Sequence, residues 1–212
     1  MFCDLTRCFL CTHCLPEWKE VIALHKETRP IKKGQDVFKE GDPVTGIFFM
    51  YSGAVKVHQA WGEKELILSF AAPGDVLGHR GLGSAGVHPV SATALENSTV
   101  CFISQPFLEN SFRANPGFLY ETMQLYARAL ARAENRMRLL ALTDTRGRVA
   151  EALQTLRSVY GVNDEGFIRV GVTRHDIAAY AGTTYETVFK LFTEWTAAGQ
   201  IVTRGKYIKV LL

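Results

Sequence analysis

The stretch TRHDIAAYAGTTYETVFKLF, residues 173–192, decides the architecture of this chain. It holds two helical segments with only a few residues between them, so the two helices have to cross at a steep angle. Ala178 is small where the helices would touch, and Gly182 falls in the turn, where glycine adopts a positive φ at least cost. Four apolar side chains would pack the helices together: Ile177, Ala181, Val188 and Leu191. The stretch therefore predicts a helix-turn-helix, the motif that places a helix in the major groove of DNA.

Capping residues mark the ends of both predicted helices. Thr173 and Asp176 form a Thr-x-x-Asp box at the start of the first helix, and Thr183 and Glu186 form a Thr-x-x-Glu box at the start of the second. Gly199 is expected to end the second helix. A generic helical hairpin with chance capping is the alternative, and it accounts for fewer of these constrained positions.

The segments on either side of the motif complete a domain over residues 144–212. A strand is expected at FIRVGV, residues 167–172, and the final segment IVTRGKYIKVLL predicts a β-hairpin with a basic tip around Arg204-Gly205-Lys206. Together with the preceding motif, this hairpin indicates a winged helix-turn-helix domain that binds DNA. From Phe167 onward cations outnumber anions, so binding is expected to weaken with salt; the cations are Arg169, Arg174, Lys190, Arg204, Lys206 and Lys209.

The composition is that of an ordinary soluble globular protein, with 212 residues, 47% hydrophobic, 21% charged and a formal net charge of +3. No segment approaches a membrane-spanning run of apolar residues, and the N-terminus lacks a signal-peptide layout. We therefore expect no membrane partner and a cytoplasmic location. The sequence contains no catalytic Ser/His/Asp order, paired-carboxylate cluster or Gly-rich phosphate loop, which argues against an enzyme.

Upstream of the DNA-binding domain, the composition changes twice along the chain. Residues 1–15 form a cysteine-rich arm. Residues 16–115 predict a sensor domain, which begins with a short amphipathic helix from Pro16 to about Arg29. Short β runs with glycine at the turns follow up to about Ser104, a pattern that indicates a compact β-roll or jelly roll.

A long helix is predicted for residues 116–143, opened by Pro116 and Gly117. Its apolar positions recur with spacings of four and three residues: Leu119, Met123, Tyr126, Leu130, Ala133, Met137 and Leu140. A sustained repeat of this kind is the seam of a coiled coil, so we expect the helix to form a homodimer. The alternative, packing on its own β-roll, needs a wider apolar stripe.

A β-roll, a long helix and a winged helix-turn-helix in this order resemble the CRP/FNR family of bacterial transcription regulators, over nearly the whole chain. The resemblance is densest in PIKKGQDVFKEGD, in the PGDVLG-to-VCFI stretch, in VTRHDIAAYAGTTYETV and in RGKYIKV. It implies an α+β fold with a cyclic-nucleotide-binding-like jelly-roll domain. It also implies a homodimer on double-stranded DNA with a pseudo-palindromic operator, and RNA polymerase as a further partner.

The resemblance assigns roles to residues of the DNA-binding domain. Four residues would occupy the exposed start of the second motif helix and face the groove: Tyr185, Glu186, Phe189 and Lys190. Glu186 matches the family's base-reading glutamate, which accepts a hydrogen bond from cytosine N4, and Phe189 is placed to contact a thymine methyl. Three residues are expected to contact phosphates: Arg174, Thr184 and Lys206.

The effector segment departs from the pattern of cyclic-AMP-binding members. Those members resemble one another in a Phe-Gly-Glu, loop, Arg-Ser/Thr cassette that holds the ribose and the cyclic phosphate. Here His79 replaces the glutamate, and Pro89 or Val90 stands in place of the arginine. We therefore expect no binding of cyclic AMP, while Arg80 leaves room for another anion. His79 and His88 are interpreted as surface loop histidines.

The five cysteines indicate redox or metal chemistry in a reducing compartment. The FNR branch is similar in having a Cys-x2-Cys-x5-Cys arm and a fourth cysteine in the strand that ends the β-roll, which together hold an oxygen-sensitive [4Fe–4S] cluster. By this resemblance Cys8, Cys11, Cys14 and Cys101 are the ligands, with Cys3 as an alternative, although the last interval in the arm is two residues. Two interpretations stay open beside it: zinc bound tetrahedrally by the arm, or a metal-free thiol switch.

Overall fold

The computed structural model of the chain describes residues 8–83 and 86–211. Its α-helices are α1 (Phe9–His13), α2 (Trp18–His25), α3 (Gln105–Ala114), α4 (Pro116–Leu142), α5 (Thr145–Tyr160), α6 (Arg174–Ala181) and α7 (Tyr185–Ala197). Its strands are β1 (Glu27–Ile31), β2 (Asp36–Phe38), β3 (Gly46–Ser52), β4 (Val55–Trp61), β5 (Lys64–Ala71), β6 (Val76–Leu77), β7 (Ser91–Ala94), β8 (Ser98–Ser104), β9 (Ile201–Arg204) and β10 (Tyr207–Val210). A 3-10 helix covers His79–Gly83.

The chain divides into two compact units. The first contains the described residues up to Val55 together with Ala71–Ala133, and the second contains Lys56–Phe70 and the chain from Glu134 onward. Among the described residues, no helix combines the length and the apolar character that crossing a membrane requires.

Two four-stranded sheets form the β-roll that the sequence predicts. One has the strand order β1-β8-β3-β6 and the other the order β2-β7-β4-β5. In the first sheet Cys101 of β8 lies opposite Phe49 of β3 on one side and Thr28 of β1 on the other. The face of this sheet that carries Ile47 and Phe49 is covered by residues of four helices, and the buried cluster formed there includes Leu10, Ile22, Ile103, Leu108 and Phe118.

In the second unit, the helices α5, α6 and α7 pack around a continuous apolar core. The side chains of Leu153, Leu156, Ile177, Val188 and Trp195 are almost completely buried there. The strands β9 and β10 form an antiparallel hairpin that begins directly after α7, with Arg204 opposite Tyr207. The basic hairpin and the helix-turn-helix therefore follow the predicted order.

Two sequence-based expectations for secondary structure are wrong. The first helix of the sensor domain is shorter than expected, because the chain is already extended in β1 from Glu27 and because Pro30 disfavours helix at the residue before it. Pro30 is tolerated in β1 because this strand lies at the sheet edge. Residues 167–172 form no strand, and only single bridges join Phe167 to Lys209 and Ile168 to Val162.

Candidate nucleic-acid interface and cysteine cluster

The first helix of the helix-turn-helix begins at the capping box that the sequence predicts. The Thr173 hydroxyl accepts a hydrogen bond from the Asp176 backbone N–H at 3.1 Å, and the Asp176 carboxylate accepts one from the Thr173 N–H at 3.0 Å. The helix ends at Gly182, which has φ 60° and ψ 47° in the left-handed region. Only glycine adopts this conformation without strain, and a Cβ there would also lie 3.0 Å from Cδ2 of Leu140. The turn therefore depends on Gly182.

The second helix starts one residue later than the sequence suggests. Thr184, and not Thr183, is the N-cap of α7: its backbone is extended, and its hydroxyl accepts from the Thr187 N–H at 3.3 Å. The predicted box of Thr183 with Glu186 is therefore wrong. Gly182, whose backbone is in the left-handed region, ends α6 directly before Thr183. The cap of α7 is therefore Thr184, one position later than the sequence suggests. At the other end Gly199, with φ 68°, follows the last turn as expected.

The start of α7 presents the four predicted groove-facing residues on its surface. Glu186, Phe189 and Lys190 are exposed, and Tyr185 is half-buried. Hydrogen bonds from its own backbone N–H and from the Thr184 hydroxyl, with His175 nearby, lower the pKa of the Glu186 carboxyl. Glu186 is therefore an ionised acceptor at the surface, in the state that a cytosine amino group needs.

The three predicted phosphate contacts lie in different surroundings. The Arg174 guanidinium stands over the rings of Phe189 and Phe192, at 5.7 and 5.4 Å from their centroids. The Thr184 hydroxyl caps its helix, whereas Lys206 is exposed at the turn of the β9–β10 hairpin. Arg204, by contrast, pairs with Glu165 at 2.8 Å, so Lys206 is the cation of this turn with no carboxylate beside it among the described residues.

His175 is a residue of this surface that the sequence reasoning missed. Its ring stacks on that of Tyr185 with a centroid distance of 4.4 Å and an interplanar angle of 21°. It occupies the first turn of α6, next to Arg174. The only sign in the sequence that His175 belongs to this surface is its position between the capping residues Thr173 and Asp176.

The predicted dimer seam of α4 is open to solvent. Leu119, Met123, Leu130 and Met137 are 49–62% exposed, and together they leave apolar side chains in water along one side of the helix. Ala133 is also exposed, while Leu140 is half-buried. Tyr126 donates its hydroxyl hydrogen to the backbone carbonyl of His79, so this seam residue also contacts its own β-roll.

His79 and His88 are buried, so their interpretation as surface histidines is wrong. They are 8% and 3% exposed, respectively. The ring of His88 stacks on Phe38 at 4.0 Å, and the ring of His79 meets Tyr126 edge-on at 5.6 Å. Burial, with the nearby Arg80 guanidinium, lowers the pKa of His79 to about 4. Both imidazoles are packing groups at neutral pH.

Four cysteines meet in one buried apolar cluster. Cys8 and Cys14 flank α1, Cys11 lies within it, and Cys101 comes from β8; their exposed fractions are 8%, 6%, 1% and 5%. Apolar side chains of four helices enclose them: Leu10, Ile22, Phe107, Leu108 and Phe118. Burial and the neighbouring Cys8 raise the pKa of the Cys14 thiol to about 12, against the opposing effect of Lys19. Cys3 lies outside the described residues.

The four buried cysteines have the donor atoms of an iron–sulfur ligand set, but they are not placed at the distances that shared ligands of one metal site require. Clusters of this kind are held by thiolates in enclosed surroundings, and the four sulfurs supply that donor set. Within residues 8–83 and 86–211, however, no three His, Cys, Asp or Glu side chains are placed to hold a metal ion together. The residues fit the group by type and burial, and the arm would have to move for them to bind it.

Polar contacts hold the end of the arm and the start of α2 against the C-terminal end of α3. The Leu15 backbone N–H donates to Oδ1 of Asn115 at 2.8 Å, and the Trp18 indole donates to the Ser111 hydroxyl at 3.0 Å. Phe9 packs with its ring 6.1 Å from that of Phe118 in the first turn of α4. The arm thus lies against the helix that carries the exposed seam.

Two family models match the sequence. Residues 28–115 match the cyclic nucleotide-binding domain, and residues 147–211 match the Crp-like helix-turn-helix domain. The first covers the β-roll up to the start of α4, and the second covers α5 to β10. The order of modules inferred from the residues is therefore found independently.

Known proteins are similar along almost the whole chain. The chain is 30% identical over 215 residues to the electron transport regulator A of Shewanella oneidensis, covering 96% of this chain and 85% of that protein. It is also 30% identical over 214 residues to the transcriptional activator protein anr of Pseudomonas aeruginosa, covering 96% and 87%. The solved structure of FixK2 from Bradyrhizobium japonicum has the same fold, with a TM-score of 0.77, 24% identity and coverage of 87% and 92%.

Proposed function

Because this chain belongs to the CRP/FNR family of transcription regulators, we propose that it acts as a homodimer that binds a pseudo-palindromic operator and responds to redox state through its cysteine arm. It is a DNA-binding regulator, as its relatives are, and those relatives are not enzymes. The observation that supports DNA binding is the start of α7, where Glu186, Phe189 and Lys190 are exposed on a helix-turn-helix. We place it in the cytoplasm, with RNA polymerase as a further partner.

The dimer is supported by the seam of α4. Seven positions at coiled-coil spacing share one face, and five of them are exposed large side chains in the single chain: Leu119, Met123, Tyr126, Leu130 and Met137. Covering a leucine or methionine side chain contributes roughly 2 kcal/mol, so pairing of two such seams offers a substantial driving force. A parallel pair would set two α7 helices about 34 Å apart, one turn of DNA.

Sequence reading is assigned to Glu186, and anchoring to Lys206. Glu186→Ala should relax discrimination at one G·C pair of each half-site, because the acceptor for cytosine N4 is lost. Lys206→Ala should weaken all sequences alike and reduce the slope of log affinity against log salt by about one, because it removes a phosphate contact. Binding to a set of single-substitution operators checks both variants, and equal losses on every sequence for both would refute the assignment.

The proposed effector is an oxygen-sensitive [4Fe–4S] cluster held by Cys8, Cys11, Cys14 and Cys101, with Cys3 as the alternative ligand. A run of cysteines spaced by two residues is the pattern by which ferredoxins hold such clusters. When bound, such a cluster would react with oxygen and be destroyed, and its loss would make the protein a sensor of oxygen. A cyclic nucleotide is not the proposed effector, because His79 takes the place of the acceptor glutamate in the cassette.

Zinc binding and a metal-free thiol switch are the two alternatives to an iron–sulfur cluster, and the purification experiment described below distinguishes them. Four thiols also suit Zn²⁺, whose binding would be structural.

The coupling between the arm and DNA binding is proposed to run through α4. Leu15 holds the arm against Asn115 at the end of α3, and Phe9 holds it against Phe118 in the first turn of α4. A change in the packing of Cys8, Cys11 and Cys14 therefore acts on Phe118, which belongs to the helix that carries the seam. The family likeness to a regulator of electron transport agrees with a redox input.

Anaerobic purification followed by air exposure tests the sensor. We expect a brown protein with iron and sulfide, visible absorption that air bleaches, and a dimer that elutes later on gel filtration after bleaching. Cys11→Ser should abolish the colour, whereas Ser158→Ala, on the surface of α5, should not. Zinc without iron would make the arm a structural knuckle. A colourless, metal-free protein would leave only the thiol switch, and an unchanged elution volume would remove the coupling.

A further inference from the structure

A hairpin of the β-roll lies on the first helix of the helix-turn-helix. Strands β4 and β5 are neighbours in the sheet β2-β7-β4-β5, yet Lys56–Phe70, which forms most of this hairpin, belongs to the same compact unit as α5, α6 and α7. The hairpin contacts α6 at two places, one in its first turn and the other in its last turn. It therefore holds both ends of this helix.

The contact in the first turn of α6 is a carboxylate with a different partner for each oxygen. Oδ1 of Asp176 accepts a hydrogen bond from the Lys56 ammonium at 2.9 Å. Oδ2 accepts one from the backbone N–H of Thr173 at 3.0 Å and so completes the capping box. The Lys56 and Asp176 side chains are largely buried, where such a charged hydrogen bond is stronger than it is in water. A single carboxylate thus joins strand β4 to the cap of α6.

The Lys56 ammonium is held in place by its own hairpin. It donates a second hydrogen bond to Oε1 of Glu65 on β5 at 2.6 Å. The other carboxylate oxygen of Glu65 lies 3.6 Å from Nδ1 of His58 on β4. A lysine side chain is flexible on its own, but here carboxylates on β5 and on α6 fix its end. The positions of β4 and β5 therefore determine where the Asp176 carboxylate lies.

The contact in the last turn of α6 is made by aromatic rings. The ring of Phe70, near the end of β5, lies 5.0 Å from that of Tyr180 and meets the ring of Tyr160 edge-on at 6.1 Å. All three side chains are buried. Aromatic pairs at such distances stabilise a contact beyond the area that they bury. The hairpin is thus anchored on α6 by packing at one end, so the ion pair at the other end has a fixed base.

The first turn of α6 also supports the start of α7. Arg174 and His175 directly precede Asp176 in this turn. The Arg174 guanidinium lies over the ring of Phe189, and the His175 ring stacks on that of Tyr185. A shift of the first turn of α6 would therefore move the side chains that pack against the exposed start of α7.

We propose that Lys56 is a positioning residue for DNA binding, which sets the first turn of α6 through Asp176 and so raises operator affinity without touching DNA. Its ammonium is engaged by two carboxylates and is not available to a phosphate. Lys56 lies outside residues 147–211, which match the helix-turn-helix domain, so the affinity of that domain depends on a residue of the β-roll. The inference rests on the proposed function and adds a residue that determines its affinity.

Salt dependence separates a positioning residue from a phosphate contact. An operator is first selected from random duplex DNA with the full-length chain, and binding is then measured over a range of salt concentrations. Lys56→Met should bind about tenfold more weakly with the wild-type slope of log affinity against log salt, because no phosphate contact is lost. Lys206→Ala should instead reduce this slope by about one. Lys56→Arg should recover most of the lost affinity, because a guanidinium can also pair with both carboxylates.

Two further variants separate this role from a general loss of stability. Val149 is buried in α5 of the same unit and takes part in neither contact of the hairpin, so Val149→Ala should destabilise the protein and keep the wild-type affinity. Asp176→Asn should lose affinity as Lys56→Met does, and the double variant should lose no more than either one, because the two residues act as a pair.

Three results would overturn the inference. They are wild-type affinity in Lys56→Met, a reduced salt slope in that variant, and an equal loss of affinity in Val149→Ala. Failure to select any duplex DNA with the full-length chain would instead refute the proposed function.

Discussion

Two histidines of the effector segment show how a single side chain can be misplaced by sequence reasoning. His79 belongs to a glycine-rich segment with charged neighbours, yet its ring is enclosed by the β-roll and Tyr126. Its Nδ1 lies 3.1 Å from the Val76 carbonyl, and its Nε2 has no partner among the described residues. A charged imidazole would be costly there, which is why burial and Arg80 lower its pKa to about 4.

The stability of the protein should therefore fall in mild acid. The pKa of His79 in the folded state is about 4, below its ordinary value of 6.5. The group thus contributes stability above pH 6.5 that is lost as the pH falls toward 4, by up to about 3 kcal/mol. Urea unfolding of His79→Gln between pH 7.5 and 4.5 should show a weaker pH dependence than wild type.

His175→Gln is the matched control for this measurement, because His175 is exposed. It should keep the wild-type loss of stability in acid. Parallel pH profiles for wild type and His79→Gln would contradict the assignment of the effect to His79.

At the scale of secondary-structure elements, a cluster of charged side chains joins β4, β5 and α6. No local sequence pattern predicts this cluster. The Lys56 ammonium lies 2.6 Å from Glu65 and 2.9 Å from Asp176, and the Lys56 and Asp176 side chains are only 15% and 11% exposed. Burial alone would raise the pKa of Asp176, but the hydrogen bonds from Thr173 and the Lys56 ammonium lower it overall. The carboxylate that caps α6 is thus also half of a buried ion pair.

Lys56→Met should destabilise the second unit by roughly 3 kcal/mol, because it leaves the buried Asp176 carboxylate without its cation. Chemical unfolding monitored by Trp195, which is buried in this unit, measures the change. Lys64→Met, on the exposed part of β5, should stay within about 0.5 kcal/mol of wild type. Equal stabilities of the two variants would show that the pair contributes nothing.

At the scale of the whole molecule, the seam of α4 exposes apolar side chains that a single chain leaves uncovered. Leu119, Met123, Leu130 and Met137 place apolar surface in water along one side of a helix of 27 residues. The N-terminal end of the same helix contacts the cysteine arm through Phe118. Pairing of two chains along this seam would link the arm to the spacing of two α7 helices.

Leu130→Glu should produce a monomer, because two carboxylates would face each other across the seam of a parallel pair. Loss of the linked second half-site should reduce operator affinity roughly a hundredfold or more. Sedimentation velocity and binding to an operator selected from random duplex DNA measure these two effects. Arg128→Glu, on the opposite side of the helix from the seam, should remain dimeric. A dimeric Leu130→Glu protein would exclude the seam as the interface.

The amino-acid sequence by itself determined the order of modules, both helices of the helix-turn-helix, the hairpin after them and the α4 helix. These features depend on contacts between residues three or four apart, or on single glycines such as Gly182, and such patterns can be read along the chain. The cap of α7 was misplaced by one residue, because Thr183 and Thr184 are chemically equivalent and the end of α6 selects between them.

Only the tertiary structure decided which polar and sulfur-bearing residues are enclosed. His79, the Lys56–Asp176 pair and the meeting of the arm with Cys101 all depend on segments far apart in sequence. Burial is a property of the assembled surroundings, and no local period encodes which distant segment will cover a given side chain. For the same reason, the sequence named the exposed residues of α7 but not the support that His175 and Arg174 give them from α6.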